Sequence, residues 1–186
     1  GTVELELTSP VEILSKAKEL PFDMGGQELN LQLPTLLDYR ALTLRHPQIA
    51  PIFKVQETVI DTFRQALKSR DFTEFQAPII IPQTAEGGSE VFEVKYFDHK
   101  AYLAQSPQFY KQILVGVFER VFAVNKTLRA EPSVTTRHLT EVTTLDAEFG
   151  FIDSWEDVME MAEYVITQIL TEVDTKLKSV LTMYKT

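Results

Sequence analysis

The sequence predicts an α+β domain, an antiparallel β-sheet flanked by helices. Three observations carry that expectation. Apolar residues recur at helical spacing after Pro51 and again after Trp155. Short alternating runs lie between those two stretches, and two of them, VFAV (121–124) and TTLDAEFGFI (143–152), bracket a polar segment that reads as a hairpin loop. Strands gathered between helices, without a regular β–α alternation, are the α+β pattern. At 186 residues and 44% apolar content the chain has about the length of one domain and enough apolar material for a core.

In chain order, Ser9 followed by Pro10 is a helix-start signal, and Ile13, Leu14, Ala17 and Leu20 would give a short helix one apolar face before Pro21. Residues 23–35, DMGGQELNLQLPT, have a glycine pair, Pro34 and little periodicity, and read as an extended loop. Ile52, Val59, Ile60, Phe63 and Leu67 then define a long amphipathic helix. FTEFQAPIII (72–81) reads as a short strand at an edge or interface, bounded by Pro78 and Pro82. EVFEVKYF and KAYLA are strands on either side of the turn-prone Asp98–His99. Pro107 opens a helix over 107–118 carrying Tyr110, Ile113, Leu114 and Val117. Beyond the hairpin a closing helix from about Trp155 has Ala162, Ile166, Ile169, Val173, Leu177 and Val180 as its stripe.

Composition removes several function classes. Without cysteine there is no disulfide and no thiolate metal site, and three scattered histidines make zinc an unsuitable cofactor; His46 and His99 read as structural or surface residues. No apolar run is long enough to span a membrane, so the expectation is a soluble, cytoplasmic protein. A net charge of −9 argues against whole-surface binding to nucleic acid, although residues 119–141 are locally basic. The first residue is Gly1 rather than Met, and the opening reads as a strand end cut from a longer chain.

The polar segment RAEPSVTTRHLTE (129–141) is where chemistry concentrates. Two-residue periodicity puts Arg129 and Glu131 on one face of the outgoing strand, and Asp146 and Glu148 on one face of the return strand. Leu145, Ala147, Phe149 and Phe151 would point the other way, into a core. An arginine fork suits phosphate or carboxylate, and nearby carboxylates suit an ammonium, a ribose hydroxyl or Mg²⁺. Together they suit a nucleotide plus a small zwitterion. The blander alternative is a set of solvated cross-strand pairs contributing ~0–1 kcal/mol each. Gln108 and Lys111, three residues apart, share one face of the helix over 107–118, and Glu86 is followed by two glycines that would let backbone approach a ligand.

These segments carry a resemblance. LRAEPSVTTRHLTEVTTLDAEFGFI is similar to motif 2 of the class II aminoacyl-tRNA synthetases, and EGGSEVFEVKYFDHKAYLAQSPQFYKQ resembles the aspartyl branch of that family. FKVQETVIDTFRQALKSRDFTEFQAP resembles motif 1, the dimer-forming segment. The resemblance implies that residues 1–24 are the hinge after an absent OB-fold anticodon-binding domain, and that 25–186 are the N-terminal part of a catalytic domain lacking motif 3. It implies an aspartate–tRNA ligase using ATP and Mg²⁺, dimeric through residues 51–82. This chain would then be an incomplete and inactive piece. Arg129 would contact the α-phosphate and the reacting carboxylate. Glu131, Arg137, His138, Leu139 and Glu148 would line the nucleotide site, Glu148 also serving Mg²⁺. Glu86 and Asp146 would hold the substrate ammonium, with Gln108 and Lys111 taking the aspartate side chain. Ala85 in place of Ser or Thr, Leu128 and Val142 in place of aromatics, and VNKT in place of a Gly-Pro turn depart from the family pattern. An asparaginyl-type enzyme and a non-catalytic dimerising paralogue are the alternatives.

Overall fold

The computed structural model describes residues 3–183 apart from 5, 7, 27, 85–90, 133, 134, 136 and 137. The chain divides into two compact units, Gly1–Ala50 and Pro51–Thr186.

In the first unit the helix expected over 10–20 does not form. Ile13 is 69% and Leu14 90% exposed, so the apolar stripe meets nothing. A helix this short is marginal in water without tertiary packing. Two short helices form instead, α1 (Leu33–Asp38) and α2 (Arg40–Thr43). Pro34, expected in a loop, sits in the first turn of α1, where its missing N–H leaves no bond unmade. His46 is buried: its Nδ1 accepts the Gln48 N–H at 3.2 Å, so Nε2 carries the proton and donates to the Gly26 carbonyl at 3.0 Å. That histidine is structural, as its context predicts.

The second unit begins with α3 (Pro51–Lys68). It continues through β1 (Thr73–Glu74), β2 (Ile80–Ile81), β3 (Glu93–Tyr96), β4 (His99–Leu103), α4 (Gln108–Phe118), β5 (Arg120–Leu128), β6 (Glu141–Phe149) and α5 (Trp155–Met183). Two three-stranded sheets result, ordered β1-β5-β6 and β2-β4-β3. The β5–β6 hairpin is antiparallel in register from Arg120↔Phe149 to Leu128↔Glu141, and β1 adds to it in parallel. The α+β class therefore holds, with one sheet mixed rather than wholly antiparallel. The run over 72–81 is not one strand. Its first residues pair with β5 and its last with β4, and Pro78, which has no N–H for a ladder, lies at the crossing. His99 belongs to β4, and the turn is Phe97–Asp98.

One face of the hairpin is the core. Phe122 on β5 packs with Phe63, Ala66 and Leu67 of α3, with Phe72, and with Val165 of α5, joined by Val124, Leu145, Ala147 and Phe149. Burying each large apolar side chain contributes about 1.5–3 kcal/mol. Two expectations about this core need correction. Phe151 is 88% exposed, because β6 ends at Phe149 and the chain turns through Gly150 into a left-handed residue at 151. On α5 the face seated on the core is Met161, Tyr164, Val165 and Ile169. Ala162 and Ile166 are exposed at an apolar groove of about 330 Å³ that Phe63 and Leu67 also line.

Candidate active site

Strand alternation, read through the register, defines the opposite face of the hairpin. Val121, Ala123, Asn125 and Thr127 of β5 stand directly across from Glu148, Asp146, Thr144 and Val142 of β6. Directly opposite residues share a face, so the two carboxylates lie where the sequence places them, away from Phe122 and Leu145. This face is not open throughout. Helix α4 lies against it and delivers Lys111, buried, between the two acids.

The Lys111 ammonium donates to Asp146 Oδ1 at 2.6 Å and lies 3.2 Å from Glu148 Oε2; the side chains are 9%, 19% and 32% exposed in that order. Burial by itself pushes the lysine pKa down. The hydrogen bond and charge of Asp146, followed by those of Glu148, outweigh it and hold the pKa above the usual 10.5. The cluster is a fixed ammonium donating to two carboxylates, with a net charge of −1. That excess suits a second, incoming cation. Gln108, at the first position of α4, is half-buried one turn before Lys111.

Toward the hairpin tip a second part of the site opens. Arg129, Glu131, His138, Leu139 and Val142 line a cavity of about 380 Å³. The Arg129 N–H is fixed to the Thr140 carbonyl at 2.9 Å, which carries the hairpin pairing one residue past its strands and orients the arginine. His138 is turned toward Thr135, with Nδ1 2.7 Å from its hydroxyl. The tip cavity and the lysine cluster share one sheet face, with Val142 and Asp146 four residues apart on β6, ~13 Å along the strand.

Of the residues expected in the site, the structure thus gathers Arg129, Glu131, His138 and Leu139 in one cavity and Lys111, Asp146 and Glu148 in one cluster. Glu86 and Arg137 lie outside the described residues. Sequence reasoning missed the direct pairing of Lys111 with both acids, and Val142 as a wall of the tip cavity. For Val142 the signal was present, since it shares strand parity with Asp146 and Glu148. For Lys111 helical spacing gave a face but not what the face meets.

Residues 32–186 match the family model for class II tRNA synthetases (D, K and N). The chain belongs to this family. It is 46% identical over 170 residues to the aspartate–tRNA(Asp/Asn) ligase of Deinococcus radiodurans, an alignment covering 91% of this chain and 39% of that protein. It is 41% identical over 165 residues to the aspartate–tRNA(Asp) ligase of Pyrococcus abyssi, covering 88% and 37%. The fold matches the crystal structure of asparaginyl-tRNA synthetase from Pyrococcus horikoshii complexed with asparaginyl-adenylate at a TM-score of 0.84 and 33% identity, over 92% of this chain and 39% of that one. The chain therefore spans about two fifths of the curated ligases' length. No helix among the described residues is long and apolar enough to cross a membrane.

Proposed function

We propose that this chain is part of an aspartate–tRNA ligase, with residues 1–24 as the hinge after an OB-fold domain and 25–186 as the first part of the catalytic domain. The observation that carries the aspartate assignment is the buried Lys111 ammonium, two of whose three N–H donors are taken by Asp146 and Glu148 while the third is left for a substrate carboxylate whose own ammonium offsets the acids' excess charge. A substrate with a side-chain carboxylate gains a charge-assisted contact there that a neutral amide does not match, a difference of ~1.5–3 kcal/mol. The reaction is attack of the aspartate α-carboxylate on the α-phosphorus of ATP. It forms the mixed anhydride aspartyl-adenylate and expels pyrophosphate, and transfer to the 3′ end of tRNA follows. Arg129 presents donors to the α-phosphate, and no side-chain nucleophile is needed. Glu131, Arg137, His138 and Leu139 line the nucleotide, and Asp146 and Glu86 receive the substrate ammonium while Gln108 contacts its side chain.

Mg²⁺ fits the donor set: it is ordinarily held by one or two carboxylates plus substrate phosphates, and Glu148 is the more exposed carboxylate of the cluster. When bound it neutralises phosphate charge. A cytoplasmic homodimer accords with this reading. Segment 51–82 leaves Ile52 (50%), Phe53 (47%) and Ile80 (51%) exposed, as a self-complementary interface requires. Sedimentation showing only monomer at tens of micromolar, roughly, would remove that part.

The deciding assay is amino-acid-dependent ATP–pyrophosphate exchange by the longer protein carrying this chain. Aspartate should support exchange, and Lys111→Met should cut aspartate-dependent kcat/KM by about ten- to a hundredfold while ATP affinity changes little. Exchange driven by asparagine instead would assign the chain to the asparaginyl branch, the reading that the asparaginyl-adenylate neighbour favours. No exchange with either would mark a non-catalytic paralogue.

A further inference from the structure

At the other end of the β5–β6 hairpin lies a second cavity, of about 410 Å³, whose walls include Arg70, Arg120, Asp153, Asp157, Glu160 and Tyr164. It sits at the Arg120↔Phe149 pair, eight residues and ~26 Å along β5 from the Leu128↔Glu141 tip, so it is separate from the candidate active site.

Its two arginines are held by their faces. The Arg70 guanidinium carbon is 4.2 Å from the Tyr164 ring centre, and that of Arg120 is 5.5 Å from Phe72 and 5.7 Å from Phe149. Stacking engages the plane of a guanidinium and leaves its edge for hydrogen bonds; Arg70 uses part of that edge on the Tyr164 hydroxyl. Arg120 Nη1 also donates to the Arg70 main-chain carbonyl at 3.4 Å, which fixes one edge of Arg120 to the backbone and leaves its remaining donors for a ligand. Among the described residues neither forms an ion pair, although three carboxylates line the same cavity. One of those, Asp157, is engaged through Oδ2 with the Asp153 and Ser154 N–H groups, which fixes the loop leading into α5. Among the described residues the Asp153 and Glu160 side chains show no such engagement.

Two ring-stacked cations in the lining of one cavity call for an anion. The acids on the same wall repel a multiply charged one such as phosphate, and they call for a cation close to it. We propose that this cavity binds a free α-amino acid as its zwitterion, with the carboxylate on the edges of Arg70 and Arg120 and the ammonium on Asp153 and Glu160. Its volume is within the range of small-molecule sites. The assignment is independent of the ligase reading, since neither Arg129 nor Lys111 takes part in it.

Trp155 gives a reporter in the segment that supplies one wall of the cavity, between the lining residues Asp153 and Asp157. It is the one tryptophan of the chain and is 65% exposed. Its emission is followed while the 186-residue chain is titrated with glycine, with acetate, and with methylammonium. Glycine should give a saturable change in the millimolar range, roughly, as expected for so small a ligand. Acetate or methylammonium alone should require about tenfold more, and Arg70→Gln and Glu160→Gln should each weaken glycine by about tenfold or more. Both substituted residues are exposed, and far-UV circular dichroism verifies that the variants fold. If Arg70→Gln does not fold, Glu160→Gln carries the test alone. Acetate equalling glycine, or a glycine response indifferent to Glu160→Gln, reduces the cavity to an anion site and overturns the proposal. A response that does not saturate overturns it as well.

Discussion

Replacing Lys111 with Met keeps the aliphatic stem in place and removes the charge that holds Asp146 and Glu148 together. At an effective dielectric of about 20, unit charges separated by the observed 2.6 and 3.2 Å attract by roughly 6 and 5 kcal/mol. Desolvation of a lysine only 9% exposed opposes much of this, several kcal/mol per buried ion. The two carboxylates are 19% and 32% exposed, so water screens part of what remains. The net loss on substitution should therefore be about 2–3 kcal/mol, below the ~3–5 kcal/mol of a fully buried broken pair. Urea unfolding of wild type and variant measures it as a lowered midpoint at unchanged slope.

The pH dependence gives a second signature. The folded-state pKa of Lys111 is raised, so its stabilisation is complete below the unfolded value of 10.5 and is lost as pH rises through the higher folded value. The gap between wild type and variant should stay constant on the alkaline side of neutrality and close only above about pH 10.5. A variant as stable as wild type, or a gap that closes well below that pH, would show that the ammonium does not hold the acids, and the argument built on it would fail.

Three further outcomes are expected. Phe122→Ala, which removes a ring of zero exposure packed with α3 and α5, should cost about 3–5 kcal/mol in the same unfolding assay. Thr127→Val should be neutral or stabilising by up to about 1 kcal/mol, because the Thr127 hydroxyl is buried without a hydrogen-bond partner among the described residues; a clear destabilisation would reveal a partner. Glu74 feels burial, which raises its pKa, but hydrogen bonds from Arg64 and Lys68 prevail and hold it below the usual 4.5. Its stabilisation is present above that value and lost as pH falls through the folded pKa. Glu74→Gln should therefore lower the melting temperature at neutral pH and have little effect in strong acid.

Local pattern was sufficient wherever one element decided its own state. The 3.6 period placed α3 and α5, Pro107 placed the start of α4, and the two-residue period sorted Asp146 and Glu148 from Leu145, Ala147 and Phe149. The grouping at the tip was equally legible, because Arg129, Glu131, His138 and Leu139 are close in sequence and a hairpin loop keeps neighbours together. Tertiary structure decided what depends on a distant surface. The stripe over 10–20 had the right spacing and no partner, so it stayed uncoiled. The run over 72–81 was divided by two sheets that each took one end. Phe151, in phase with the core residues of β6, lost its place when the strand ended at Phe149. Helical spacing gives Lys111 a face shared with Gln108 but not what that face meets, because its partners are 35 or more residues away in sequence and only the packing of α4 across β5 and β6 brings them within a hydrogen bond.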